Sequence, residues 1–502
     1  MIIGSKTLEK KIYSIKQKVI QIIMKRHLRS TNFSVTIKRS STKIFQGPNM
    51  GIFINRTLNM KKIKAIGFDM DYTIVRYKTE AFEKFTHAEV LKKLVSEKKY
   101  PKEILKLTFD FNRVIQGLVI DRKKGNLLKV SRFGKVKSSY HGLFPIDFKE
   151  QQKMYCNGVI DLSDPHIQSL DTNFSVSNGV LYSQLIELKK NGLPLPDFET
   201  LAEEVKEVLD ICHSDGTLKN HVRENIADYI IQDAEVVALF ERYKRYGKRL
   251  LVITNSDYSY TKLLLDYAIN PFLKEHKDWS ELFEITITLA SKPRFFNVKT
   301  PFLAIDPITG LMTNAEGKIT KGIYQGGFAG KLQQDLGLEG DEILYLGDHI
   351  YGDVVSIKKS FNWRTALVLD PLKEEIEAIK SSAHIQLEID KQMAVKESLE
   401  RMLNEIDIRK NELHQDVSKE ELNTLFSDID KVNTSISELL DQHKKFFNPY
   451  WGEMMRAGLE ESRFADQVEK YACIYMTKVA DLISYSPRTY FRPFRRVLPH
   501  EL

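Results

Sequence analysis

The sequence predicts an α/β fold: a parallel β-sheet covered by helices on both faces. Three observations predict it. Short apolar runs recur along the chain, each ending in a cluster of polar residues. Helix-forming stretches separate several of them. One interval between two runs is far longer than a simple crossover needs, so it holds an inserted domain.

The chain has 502 residues, 42% of them apolar, enough for two or three domains with cores of their own. Its net charge of +8 is unevenly placed, because residues 1–49 hold eleven Lys and Arg and one acid, Glu9. The remainder is slightly acidic, so the charge gives no ground for specific nucleic-acid binding by the folded body. In this extension Leu8, Ile12, Ile15, Val19 and Ile22 recur at helical spacing, with Lys11, Lys16, Lys18, Lys25 and Arg26 between them. A basic amphipathic helix is expected over 1–49. Its open roles are a plain tail or packed helix, contact with a membrane surface or a partner, and targeting. Charges interrupt each apolar stretch, against a secretory signal, and no run approaches the roughly 20 apolar residues of a membrane span. The three cysteines, Cys156, Cys212 and Cys473, are far apart and unpaired by motif. That argues against a disulfide framework or structural zinc and fits a reducing compartment, here expected to be cytoplasmic.

The body is expected to begin near Gly51. Buried strands are predicted at 64–68 (KAIGF), 249–253 (RLLVI), 285–289 (ITITL) and 342–346 (EILYL). Helices are predicted at 234–246 and 260–267. The core then covers 50–77 and 213–372, with the inserted domain over 78–212. After 373 the composition turns to charged helix. Leu422, Leu425, Ile429, Val432, Ile436 and Leu439 form one stripe, Ser418 and Glu421 have the spacing of a capping box, and Leu399, Leu403 and Ile406 mark a preceding helix. A helical C-terminal region is expected over 373–502, either as an assembly element or as a hairpin packed on its own body.

In a parallel sheet the site lies outside the carboxyl ends of the strands, where the polar clusters converge. After the first strand stands FDMDYT (68–73). Carboxylates two apart at a strand end point the same way. Asp69 can attack phosphorus as the nucleophile, and Asp71 can protonate the leaving oxygen and later activate water. An anion attacking an anion needs charge relief. Mg²⁺ held by Asp69, the Asp71 backbone carbonyl and Asp348 would supply it, with Asp353 as acidic support in GDHIYGD (347–353). Thr254 and Asn255 follow the second strand and can bind phosphate oxygens. Lys292 follows the third and can neutralise phosphate and keep Asp69 ionised. Each piece alone is weak; their order and spacing after successive strands carry the reading.

This order resembles the haloacid-dehalogenase-like superfamily. GFDMDYT (67–73), TNSDY (254–258), KPRFF (292–296) and GDHIYGD (347–353) resemble, more closely, the cytosolic purine 5′-nucleotidase family, as do GNLLKV (125–130), LDTNF (170–174) and FADQVEKY (464–471). The resemblance covers 51–502 and leaves the basic extension unmatched. It implies a Rossmann-like sheet of haloacid-dehalogenase type with an inserted α+β cap, Mg²⁺, and a dimer or tetramer. It also implies IMP, GMP and their deoxy forms as substrates, with a capacity for phosphate transfer to nucleosides. By position it implies Lys219 on the phosphate, Phe174 stacked on the purine with Ser175 beside it, and Asp210 and His213 by the base. Lys206 replaces the family's arginine, which puts tight base selection in doubt because an ammonium lacks the planar guanidinium fork. Lys359, Gln467 and Tyr471 match part of the family's effector site, whereas Asp161 replaces an effector-phosphate arginine. Weak or absent activation by ATP-like effectors is therefore expected; ATP activation lost in Lys359→Ala would contradict it. The readings left open are a phosphatase for another small phosphate ester, a protein that mainly transfers phosphate, and a scaffold that retained the fold without turnover.

Overall fold

The computed structural model describes residues 51–156, 158–495 and 497–501, so the expected N-terminal extension lies outside the described residues. A ten-stranded sheet organises the body. In chain order its strands are β1 (Ile52–Ile54), β2 (Ala65–Phe68), β3 (Arg249–Ile253), β4 (Ile285–Thr288), β5 (Phe302–Ile305), β6 (Met312–Asn314), β7 (Gly322–Gly326), β8 (Ile343–Gly347), β9 (Arg364–Val368) and β10 (Ile474–Met476). Across the sheet they run β1-β10-β9-β8-β2-β3-β4-β7-β5-β6. The stretch from β10 to β7 is parallel throughout, and β1, β5 and β6 close the edges antiparallel. Strands β2, β4 and β8 are buried at every position, and β3 at all but its first. That burial on both faces explains why β2, β3 and β8 read as near-continuous apolar runs, while β4 alternates Ile with buried Thr.

Between β2 and β3 the chain builds a second layer. A five-stranded antiparallel sheet, Phe144–Pro145, Val136–His141, Asn126–Val130, Leu118–Asp121 and Ile167–Leu170 in spatial order, packs with α1 (Thr79–Ser96), α2 (Val176–Lys190) and α3 (Phe198–Ser214). The expected boundary at 212/213 falls inside α3. Asp197 starts that helix by accepting from the amides of Glu199 and Thr200, and Leu201, Ala202, Val205, Val208, Leu209 and Cys212 form its buried face.

The C-terminal region is not helical throughout. Helices α4 (Leu372–Asn411) and α5 (Lys419–Lys444) form a hairpin, closed by the Arg409–Glu421 ion pair at 2.9 Å. Ile385, Ile389 and Ile406 are buried on α4, Leu425 and Ile436 on α5. The chain then returns through α6 (Arg463–Tyr471) to place β10 in the main sheet, parallel to β9. Three apolar residues inserted between β1 and β9 gain a full hydrogen-bond ladder, which outweighs the helical character of what precedes them. Cys156, Cys212 and Cys473 are all free. Among the described residues no helix is long and apolar enough to cross a membrane.

Candidate active site

The sheet order places β8, β2, β3 and β4 side by side, so the four polar clusters leave adjacent strand ends. The ladder continues into them: the Asp69 amide donates to the Leu346 carbonyl at 2.8 Å, and the Thr254 amide to the Ile287 carbonyl at 2.9 Å. Tyr72 then turns the chain with φ of +54°, a left-handed conformation that sets Asp71 beside the strand end.

Lys292 is the hub. Its Nζ lies 2.8 Å from Asp69 Oδ2 and 2.8 Å from Asp353 Oδ1, and donates to the Tyr345 hydroxyl at 3.0 Å. Burial alone would lower this lysine, but Asp353 and Asp69 outweigh it and hold the ammonium well above its ordinary range. Asn255 fixes the lysine's backbone rather than facing outward alone. Its Oδ1 accepts from the Lys292 amide at 2.6 Å, and its Nδ2 donates to the Lys292 carbonyl at 3.1 Å, which leaves one amide proton for a phosphate oxygen. Thr254 is fully buried and its Oγ1 accepts from the Ser256 amide at 3.0 Å, keeping the hydroxyl proton available.

Asp69, Asp348 and Asp353 bring carboxylate oxygens within 4.8 Å of one another. Burial, opposed by Lys292 and assisted by Asp353, raises Asp69 to about 7. Burial, then Asp69 and Asp353, push Asp348 well above the carboxylate range. Crowded, buried, hard oxygen donors of this kind fit Mg²⁺. Asp353 is the most committed of the three, because its Oδ1 takes Lys292 and its Oδ2 accepts from the His349 amide at 3.1 Å. It reaches this place through a π-helical turn, Ile350–Val355, and a Cβ at Gly347 would overlap its carboxyl group.

The Asp71 carboxylate is held at both oxygens, by the Tyr77 hydroxyl at 2.6 Å and the Ser256 hydroxyl at 2.8 Å. Burial raises it, and these two hydrogen bonds pull it back. Lys219 pairs with Asp257 at 2.6 Å; burial would raise Asp257, but the ammonium and the Tyr260 amide hold it at about 2. Ser256 and Asp257 directly follow Thr254 and Asn255, the two residues of that motif whose side-chain chemistry points to phosphate. Tyr77, Tyr260 and Tyr345 carried no sequence signal, being ordinary aromatic residues until the fold brings them in.

The residues implied for the base divide into two groups. Phe174 packs edge-on against Tyr72 at 4.6 Å and against His213 at 5.1 Å, directly beside the turn that follows Asp69 and Asp71. Lys206 and Asp210 instead line a cleft of about 760 Å³ with Arg122, Gln168, Glu203 and Glu207, which shares no lining residue with that ring cluster. Ser175 uses its hydroxyl locally, donating to the Thr172 carbonyl at 2.6 Å. Of the implied effector residues, Lys359 lies over the Tyr471 ring at 5.6 Å, and Gln467 donates to the Tyr351 hydroxyl at 2.6 Å. Asp161 is exposed, accepts from the Ser163 amide at 2.9 Å and feels the charge of Arg463.

His213 permits a stability prediction. Burial, and then the charge of Lys219, lower it from 6.5 to about 4, and its Nε2 is buried without a protein partner. The unfolded chain takes up a proton near pH 6.5 that the folded chain refuses until about pH 4. His213 therefore contributes stability above pH 6.5 that is lost as pH falls toward 4, at most about 3 kcal/mol. The melting temperature of the wild type should drop more between pH 7 and 4.5 than that of His213→Phe; parallel drops would refute the assignment.

The 5′ nucleotidase family model matches residues 52–502. A 5′-nucleotidase domain-containing protein of Dictyostelium discoideum is 26% identical over 460 residues, covering 90% of this chain and 74% of its own. Among solved structures, a predicted phosphoglycolate phosphatase from Haemophilus somnus aligns over 62% of this chain and 86% of its own, with 14% identity and a TM-score of 0.28. An archaeal β-phosphoglucomutase from a Pyrococcus strain aligns over 61% and 86%, with 11% identity and a TM-score of 0.30. Overlaps this loose carry no argument about the reaction. The family match spans nearly the whole body and every strand end described above, and the chain belongs to the 5′ nucleotidase family.

Proposed function

We propose that this nucleotidase hydrolase removes the 5′-phosphate from purine nucleoside monophosphates such as IMP, GMP and their deoxy forms. The observation that carries the chemistry is the pairing of Asp69 with Lys292 at 2.8 Å beside an Asp71 held at both oxygens. Asp69 forms the bond to phosphorus while the P–O5′ bond breaks, and Asp71 gives its proton to the departing oxygen. Asp71 then takes a proton from water, which attacks the aspartyl phosphate, breaks its P–O bond and frees phosphate and Asp69. A nucleoside hydroxyl in place of that water would receive the phosphate, which is the transfer reaction. Asp69, Asp348 and the Asp71 carbonyl, with Asp353 behind them, would hold Mg²⁺, and the ion would supply Lewis-acid charge relief to the phosphoryl group when bound. Lys292, Lys219, Thr254 and Asn255 are the phosphate-facing groups of the chain itself. Purine preference rests on Phe174 as a stacking surface next to the catalytic turn, worth about 1–3 kcal/mol in comparable base sites, and on His213 as a neutral imidazole in contact with it.

The test is phosphate release from a panel of nucleoside monophosphates and sugar phosphates, with Mg²⁺ or EDTA, and with and without inosine. Fastest release from IMP and GMP, abolished by EDTA, is the expected result. Equal or faster release from pyrimidine nucleotides or sugar phosphates would overturn the purine reading. EDTA-resistant turnover would overturn the metal, and inosine that yields no IMP from a second donor would overturn the transfer reaction.

A further inference from the structure

The chain leaves the catalytic turn at Tyr72 and enters α1 at Thr79, and Tyr77 lies between them, only 4% exposed. Its hydroxyl proton goes to Asp71 Oδ1 at 2.6 Å. The Tyr260 hydroxyl lies 3.1 Å away. A phenol has one proton to give, so Tyr260 is the donor in that second bond and Tyr77 the acceptor. The phenol oxygen is thus pinned from both sides.

The ring of Tyr77 is fixed as firmly as its hydroxyl. It stacks on Tyr72 at 4.7 Å and meets the edges of Phe82 at 5.2 Å and Phe174 at 6.2 Å. Phe82 also contacts Phe174, at 5.9 Å. Beside Phe82, the fully buried Glu83 accepts from the Ser177 amide at 2.9 Å, which anchors the start of α2 immediately after Phe174 and Ser175. One stretch of chain, from Asp71 to Glu83, therefore carries the leaving-group acid at one end and secures the aromatic platform at the other.

We propose that Tyr77 is a positioning residue for the leaving-group acid: its hydroxyl orients the Asp71 carboxyl, and its ring ties that carboxyl to the Phe174 platform. This rests on the reading of Asp71 as the acid. Its consequence is that the acid is aligned by the same cluster that would hold the base, so a nucleoside leaving group meets a donor already in place.

The experiment compares kcat/KM on IMP and on p-nitrophenyl phosphate for wild type, Tyr77→Phe and Tyr260→Phe. A nucleoside alkoxide needs a proton to leave and nitrophenolate does not. The ratio kcat/KM covers the steps through departure of the leaving group and excludes hydrolysis of the intermediate. Tyr77→Phe should lower kcat/KM on IMP by about 10- to 100-fold, within the range of general acid catalysis, and on p-nitrophenyl phosphate by no more than about threefold. Tyr260→Phe, which keeps the Tyr77–Asp71 bond, should show the same selectivity at smaller size. In an Asp71→Asn background Tyr77→Phe should cost nothing further, because residues acting through one another are not additive. Equal losses on both substrates at an unchanged melting temperature, or additive losses with Asp71→Asn, would overturn the assignment of Tyr77 alone. A wild type inactive on both substrates would overturn the reading of Asp71, and the proposal with it.

Discussion

Asp69→Asn should lower phosphate release by about 10⁴-fold or more, equivalent to at least about 5.5 kcal/mol of transition-state stabilisation. Three losses combine in that one substitution. An amide oxygen does not attack phosphorus to leave a stable acyl phosphate, so the covalent route closes. A neutral amide is a weaker Mg²⁺ ligand than a carboxylate in the Asp69–Asp348–Asp353 group. The amide nitrogen also brings its own protons to Lys292, now 2.8 Å from Asp69 Oδ2, so a donor faces a donor unless the side chain flips. A flip only moves the conflict to the Met70 amide, which donates to Asp69 Oδ1 at 2.7 Å. The check is steady-state release on a variant whose melting temperature and circular dichroism match the wild type, together with a search for acid-stable, base-labile phosphate on the protein. Residual turnover above about 1% would show that another group attacks phosphorus.

The strand ends were readable because their causes are local. β2, β3, β4 and β8 are short, mostly apolar and almost wholly buried, and the polar residues that follow are where a parallel sheet puts chemistry. β10 was not readable: three residues, Ile474–Met476, lie far along the chain from β9, and nothing in so short a run has a period. Tyr345 shows the second limit. It sits within a strand that reads as plain apolar core, yet its hydroxyl donates to the Ile253 carbonyl at 2.9 Å and accepts from Lys292. Gly67 leaves room for the ring, since a Cβ there would come within 2.8 Å of it. Neither fact is local, because the glycine is on β2 and the tyrosine on β8. The spacing of Lys206, Asp210 and His213 along one helix was visible, but it could not show that the helix turns His213 to the ring cluster and the other two to a cleft.

Lys292→Met should cost about 10³-fold in kcat/KM near neutral pH, in the range found for losing a preorganised charge at the reacting centre, and part of the loss should return as pH rises. The reason is the charge left behind. With the ammonium in place, burial already raises Asp69 to about 7. Lys292 is the principal influence opposing that rise, so its removal should move Asp69 further up and leave the proposed nucleophile protonated at neutral pH. Higher pH restores the carboxylate, so the recovery runs in the alkaline direction. The proposed neutralisation of phosphate by Lys292 would not return, so recovery should stay incomplete. Breaking one partner out of a buried charge group costs on the order of 3–5 kcal/mol, but proton uptake by Asp69 or Asp348 offsets part of it, so the variant should remain folded. Metal binding should move the opposite way from activity. The cluster of Asp69, Asp348 and Asp353 loses its internal cation, so Mg²⁺ measured by calorimetry above pH 8 should bind at least as tightly as in the wild type. Loss of Mg²⁺ binding together with activity, or an activity deficit that does not shrink between pH 7 and 9, would mean that Lys292 holds the carboxylates in shape and leaves their charge unchanged.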